Sequence, residues 1–263
     1  MRSRTLAWLT LSLLAPLPAA ADWIVFVNGG IQETVGPLKA RGNQVTFYSR
    51  QGTLLSVRAE DVDLPTSAFI SWQIGDLRSG RRAAPAPAPT AQRAIGPQGT
   101  ATPCAPARVA RVVAAETLEV ALAGKAETVH AACLDAPETK HKFPQLAWYG
   151  DTAYGAVGGL VRAGDRVCLT EDTPPQRDKL GHRVVYVTLD NGRDLSAEMI
   201  TRGFGLLHRS TCGRSPAYQA LETAARIAEQ GHWGPAANEV AMFIVAQGAT
   251  FGGGPPAIAA GGG

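Results

Sequence analysis

Two acidic residues three positions apart, Asp135 and Glu138, stand on either side of Pro137 in the stretch Leu-Asp-Ala-Pro-Glu-Thr-Lys-His that begins at Leu134. Proline fixes its own φ and biases the preceding residue away from helix, so the stretch predicts a rigid extended turn. Such a turn directs both carboxylates toward one small volume, and hard oxygen ligands suit a hard cation. The competing interpretation is a solvated surface turn, because short motifs often match by chance. The neighbouring segments must decide between the two.

The first 21 residues have the three parts of a secretory signal peptide. Arg2 and Arg4 form the basic region, Leu6 to Leu17 the apolar region, and three alanines before Asp22 the cleavage site. The apolar region is too short to span a bilayer. We expect a secreted or periplasmic protein that begins near Asp22.

Four cysteines, all from residue 104 onward, would then meet an oxidising compartment. Their even number indicates disulfides, and the lack of any C-x-x-C spacing argues against a structural zinc site or a thioredoxin-type redox pair. The spacing leaves all three pairings open. The four are Cys104, Cys133, Cys168 and Cys212.

Composition divides the chain into further segments. Residues 22–75 predict a small all-β module, because short alternating strands are separated by glycine turns. Residues 76–103 contain an Ala-Pro repeat and predict a semi-rigid linker. Residues 104–234 alternate strand and helix patterns, and the Gly/Pro/Ala-rich residues 235–263 predict a disordered tail.

The main segment has three strands before the acidic turn and a helix after Pro144. A further strand follows, then Asp178-Lys179-Leu180-Gly181-His182 before a strand containing Tyr186, and then two more helices. This order, with the Met199-to-Gly203 segment, resembles the staphylococcal-nuclease-like (thermonuclease) family across roughly residues 104–234. The resemblance implies an α+β, mainly β fold, in which an OB-fold five-stranded barrel carries three helices. It also implies Ca²⁺-dependent hydrolysis of phosphodiester bonds in DNA and RNA.

The resemblance assigns roles to individual residues. Glu138 corresponds to the glutamate that orients the attacking water, and Asp135 and Glu116 to the two calcium-binding carboxylates. A further family aspartate falls on Ala114, and a family threonine falls on Ala136, which still offers a backbone carbonyl to the metal.

The two arginines that clamp the phosphate in the family are both replaced, by His130 and by His182. Arg183 lies one residue along the strand, where its side chain would face the opposite side. Lys179 matches a lysine near the substrate phosphate. Two family tyrosines that flank the bound base fall on Arg209 and Thr211.

Three hypotheses follow for the function. The chain is a nuclease in which protonated His130 and His182 replace the guanidinium groups, with reduced or pH-shifted activity. Alternatively, it is an inactive OB-fold module that binds nucleic acid or protein. The third hypothesis is a Zn²⁺ or Mn²⁺ site, since two imidazoles beside carboxylates suit these metals better than Ca²⁺. Residues 104–234 hold 15 basic and 15 acidic groups, a balance that weakens the nucleic-acid-binding version of the second hypothesis.

The family fold also bears on the cysteines. It places Cys104 near both Cys168 and Cys212, so the resemblance favours one of these two as its partner. Cys133 would then remain a buried free thiol.

Overall fold

The computed structural model describes residues 22–79, 104–141, 144–208, 212–237 and 240. The predicted signal peptide, the predicted linker beyond residue 79, Arg209, Thr211 and most of the predicted tail lie outside them. No helix in the described part of the chain is long and apolar enough to cross a membrane.

Five short strands and one long helix form the N-terminal module. The strands are β1 (Trp23–Val25), β2 (Ile31–Glu33), β3 (Lys39–Arg41), β4 (Gln44–Tyr48) and β5 (Leu54–Arg58), and the helix is α1 (Leu64–Ser79). β1 pairs with β2, and β3, β4 and β5 form a second antiparallel sheet. The prediction of an all-β module was therefore wrong from Leu64 onward, where α1 begins.

The cause of this error is visible in the helix itself. Asp63 caps its first turn by accepting the backbone N–H of Thr66 at 2.9 Å. Phe69, Ile70 and Ile74 then recur on one face and are buried. The cap and the helical spacing were both present in the sequence.

The described residues from Cys104 onward form what we call the nuclease-like domain, which contains a closed barrel of five strands. These strands are β6 (Ala105–Ala114), β7 (Thr117–Leu122), β8 (Lys125–Ala131), β10 (Arg166–Arg177) and β11 (Arg183–Leu189). Around the barrel they follow the order β10-β11-β8-β7-β6. Two-residue strands β9 (Leu134–Asp135) and β12 (Leu206–Leu207) pair beside it, and α2 (Pro144–Gly158), α3 (Leu195–Thr201) and α4 (Ser215–Ile227) complete the domain. The barrel with three helices is thus confirmed.

The N-terminal module packs directly against the nuclease-like domain. Phe69 of α1 stacks near Tyr149 of α2 and Trp233, with ring centroids 6.1 Å and 4.3 Å away. Gln73 donates to the backbone carbonyls of His232 and Gly234. The two segments, although separated by a linker in sequence, share one hydrophobic cluster.

The start of the predicted tail also belongs to this cluster. Ala237 is fully buried, and Val240 packs against the same group of side chains. The disorder predicted for residues 235–263 is therefore wrong for its first residues, because apolar side chains continue the core past Trp233. The rest of the tail lies outside the described residues.

Two disulfides close the nuclease-like domain, Cys104–Cys168 and Cys133–Cys212. The first joins Cys104, directly before β6, to Cys168 of β10. Cys168 is one of the two partners expected for Cys104. The prediction of a free Cys133 was wrong. Cys133 precedes β9, which pairs with β12, and this pairing brings the segment that ends at Cys212 within reach.

Candidate functional site

The acidic turn begins on β9 and is held in place by buried residues and by strand pairing. Leu134 and Ala136 are buried on either side of Asp135, and Pro137 is buried as well. Asp135 lies opposite Leu206 of β12, so the turn is attached to the sheet at its start. Asp135 is partly exposed and Glu138 is exposed, as a carboxylate that meets a ligand must be.

Glu116 joins these two residues from the turn between β6 and β7. Its backbone carbonyl accepts the N–H of Ala131 at 2.7 Å, which fixes the turn against β8. Burial raises the pKa of the Glu116 carboxyl well above its ordinary value, and the negative charges of Asp135 and Glu138 raise it further. We call Glu116, Asp135 and Glu138 the carboxylate side of the site.

Glu138 shows the same crowding. Burial raises the pKa of its carboxyl, and the charges of Asp63 and Asp135 raise it further, while His141 and Lys140 oppose the effect. The three predicted acidic residues are thus close enough to influence one another's charge, with His141, Lys140 and His208 as the nearby basic groups.

Four further candidates form what we call the phosphate side of the site: His130, Lys179, His182 and Arg183. His130 lies on β8, with Nε2 3.4 Å from the carbonyl oxygen of Leu134. Burial lowers the pKa of His130, although Asp135 and Asp178 act in the opposite direction. The lowered pKa favours the neutral form of His130 near pH 7, which disfavours the prediction that it replaces an arginine as a cation.

His182 is held by the turn that precedes it. Its backbone N–H donates to Oδ1 of Asp178 at 2.8 Å, and its Nδ1 lies 2.9 Å from Oδ2 of the same carboxylate. Lys179, in the same turn, extends to Glu60 of the N-terminal module, with Nζ 3.0 Å from Oε2. The side chains of Lys179 and Glu60 are both exposed.

Arg183 already has two carboxylate partners. Its guanidinium group pairs with Glu171 at 2.9 Å and Glu127 at 3.0 Å, and its side chain is only 18% exposed. Alternation along β11 directs it away from His182. Its assignment to substrate binding stays a prediction, and it would require these two ion pairs to break.

Sequence reasoning missed two residues at the site. His208 follows β12, and its Nδ1 lies 3.6 Å from Oδ2 of Asp135. This contact raises the pKa of His208. Asp63 contacts the backbone of the turn from the N-terminal module. Only the helix-cap signal at Asp63 was visible in the sequence, and it gave no indication of the residue's distant partner.

The donor chemistry of the carboxylate side fits a hard divalent cation. A cation would relieve the repulsion that raises the pKa of Glu116 and of Glu138, and oxygen ligands are those that Ca²⁺ prefers. Among the residues that the structure describes, no three His, Cys, Asp or Glu side chains are grouped closely enough to hold a metal as they stand. Asp178 engages only Nδ1 of His182, which leaves the other ring nitrogen for a metal, so this contact does not count against the hypothesis of a Zn²⁺ or Mn²⁺ site.

Comparison with known families decides the assignment of the domain. Residues 128–235 match the family model of staphylococcal nuclease homologues. The match begins within β8 and extends past α4, so it confirms the resemblance and the barrel fold for this part of the chain. The staphylococcal nuclease match includes Asp135, Glu138 and both histidine positions but begins after Glu116. No curated protein matches the chain significantly.

Proposed function

We propose that this protein hydrolyses phosphodiester bonds of DNA or RNA in a cleft formed by the carboxylate side, with Ca²⁺ as its cofactor. The observation that carries the proposal is that Asp135 lies near enough to Glu116 and to Glu138 for its negative charge to raise the pKa of both carboxyls. Such repulsion is costly unless a cation or a proton relieves it. The family match adds support, because the turn lies within the matched residues.

Each acidic residue has a distinct role in this proposal. Asp135 and Glu116 would hold the cation, together with the backbone carbonyl of Ala136. Glu138, the most exposed of the three carboxylates, orients water and accepts its proton. A bound Ca²⁺ would neutralise charge on the phosphate and stabilise the developing oxyanion.

The phosphate side supplies weaker interactions than two arginines would. The single N–H of neutral His130 is directed at the carbonyl oxygen of Leu134, and Nδ1 of His182 faces the carboxylate of Asp178. His208, whose pKa is raised, is the side chain that brings positive charge close to Asp135. Bidentate guanidinium contacts with phosphate are stronger than these, so we expect slow cleavage.

A second candidate function is an OB-fold binding module without catalysis. It is favoured by the engagement of the phosphate side, in which Lys179 pairs with Glu60 and Arg183 with two glutamates. Nucleic acid or a protein would then occupy the cleft without being cleaved.

A plasmid-nicking assay separates the two functions. The full chain is incubated with Ca²⁺, Mn²⁺, Zn²⁺ or a chelator from about pH 5 to about pH 9, a range that covers histidine titration. Nicking with Ca²⁺ that is lost with the chelator supports the nuclease. Binding in a gel shift without nicking by any metal refutes it and supports the binding module. Nicking by Zn²⁺ or Mn²⁺ alone would instead assign the site to a transition metal.

We also propose that the protein works outside the cytoplasm, secreted or in the periplasm. Both disulfides link distant strands of one domain, and such bonds persist in oxidising compartments. Detection of the chain in a periplasmic or culture fraction, beginning near Asp22, would test this location.

A further inference from the structure

Hydrogen bonds within the N-terminal module hold the Asp63 carboxylate in place. Its Oδ1 accepts the backbone N–H of Thr66 at 2.9 Å, and its Oδ2 accepts the hydroxyl of the same residue at 2.7 Å. The carboxylate caps α1 and its side chain is fully buried. It therefore occupies one defined position at the boundary between the two segments.

The same carboxylate contacts the acidic turn at two points. Oδ2 accepts the backbone N–H of Glu138 at 3.1 Å and lies 2.7 Å from Nε2 of His141. The side chain of His141 is fully buried in this contact. A cap of an N-terminal helix thus also holds both ends of the segment from Glu138 to His141.

Helix α2 contacts the same peptide group from another direction. A Cβ atom at Gly150 would lie 2.2 Å from the carbonyl oxygen of Glu138, so only glycine permits the helix to pack this closely. The peptide of Glu138 is therefore held at its N–H by Asp63 and confined at its carbonyl by α2. The exposed Glu138 side chain projects from this fixed backbone.

We propose that Asp63 is a positioning residue for Glu138, and that the N-terminal module is consequently part of the active unit. The effect on catalysis rests on the function proposed above, whereas the effect on the turn does not. Buried hydrogen bonds restrict the backbone, and a small displacement of a group that orients water reduces the rate of hydrolysis.

Replacement of Asp63 by asparagine, compared with Asp61→Asn, tests the effect on the turn. Asp61 lies two residues away and pairs with exposed Arg58 at 2.9 Å, so it is a matched control. Amide hydrogen exchange in the full chain, without metal or nucleic acid, reads the Glu138 N–H directly. We expect exchange of this amide to accelerate about tenfold in Asp63→Asn, since a net hydrogen bond is weakened. The barrel amides of Val129 and Val185 should keep their protection.

The catalytic effect is read from kcat and KM on single-stranded DNA. We expect Asp63→Asn to lower kcat by about 100-fold with KM within about twofold, because misplacement of a catalytic group affects the chemical step. Asp61→Asn should leave both parameters unchanged. Should Asp63→Asn fail to fold, Thr66→Val removes one bond to the carboxylate and should give a smaller change in the same direction.

Three results would overturn this proposal. They are unchanged exchange of the Glu138 amide, loss of protection throughout the barrel, and equal kinetic losses in Asp63→Asn and Asp61→Asn. If the wild-type chain cleaves no substrate with any metal, the proposed function fails, and the exchange comparison alone decides the role of Asp63.

Discussion

The two sides of the candidate site differ in how their charges are satisfied. On the carboxylate side, Glu116 and Glu138 have raised pKa values because burial and neighbouring acids oppose their ionisation. On the phosphate side, Lys179 and Arg183 already have carboxylate partners. One side thus needs a cation, while the other has little positive charge left for a substrate. The acidic residues of the family pattern are thus better kept at this site than its phosphate-clamping arginines, both of which are replaced by histidine.

Loss of the water-orienting carboxylate should have the largest effect. We expect Glu138→Gln to lower kcat by about 100-fold to 10,000-fold, since an amide cannot accept the proton of water. Steady-state cleavage of single-stranded DNA with Ca²⁺ measures this effect. Glu119→Gln is the matched control, because Glu119 pairs with exposed Arg111 on the barrel surface and should retain full activity. Equal activities of the two variants would remove Glu138 from the mechanism.

Restoring the phosphate side should have the next largest effect. We expect the double variant His130→Arg with His182→Arg to raise kcat by about 100-fold, because one lost transition-state donor typically costs that much. The same cleavage assay provides the readout. His232→Arg is not a suitable control, because His232 is buried in the core. His208→Arg is used as the control, because it places a guanidinium beside Asp135 and not at either clamp position. If the double variant is no faster than the wild type, then the alignment of these two positions with the phosphate clamp is wrong.

Cation affinity should depend on pH in a direction set by the carboxylate side. A raised pKa means that Glu116 and Glu138 stay protonated to a higher pH than usual, and protons compete with the metal. Calorimetric titration with Ca²⁺ should therefore show affinity that rises with pH and levels off above these raised values. The slope below them should approach about tenfold per pH unit for each carboxyl that must lose a proton. Affinity that falls as pH rises would contradict this account.

The smallest effect is expected at Arg183. Because its guanidinium pairs with Glu171 and Glu127, we expect Arg183→Gln to change kcat/KM by less than about twofold, as a contact outside the site should. A tenfold rise in KM would show instead that Arg183 leaves its partners to bind the substrate.

Much of the fold and of the carboxylate side could be predicted from sequence because short-range signals encode them. The Asp-Ala-Pro-Glu turn specifies its own backbone, the strand and helix patterns indicate the individual elements, and the resemblance to the staphylococcal-nuclease-like family supplied their closure into a barrel. Asp135 and Glu138 lie close enough to Glu116 for their charges to raise its pKa, but the roles of the three residues stay predictions.

The remaining features depend on contacts between distant residues. Asp63 reaches Glu138 across a separation of 75 positions, and Lys179 reaches Glu60 across 119. The lowered pKa of His130 depends on burial, which the residue type does not reveal. The pairing of Cys133 likewise follows from the contact of β9 with β12.

Cleavage of nucleic acid at the candidate site is tested most directly by one measurement. A labelled single-stranded oligonucleotide is mixed with excess full chain, and binding and cleavage are followed in the same samples with Ca²⁺ and with a chelator. The account predicts slow fragmentation that requires Ca²⁺ and is lost in Glu138→Gln. An oligonucleotide that is bound yet remains intact with Ca²⁺, Mn²⁺ and Zn²⁺ would contradict it.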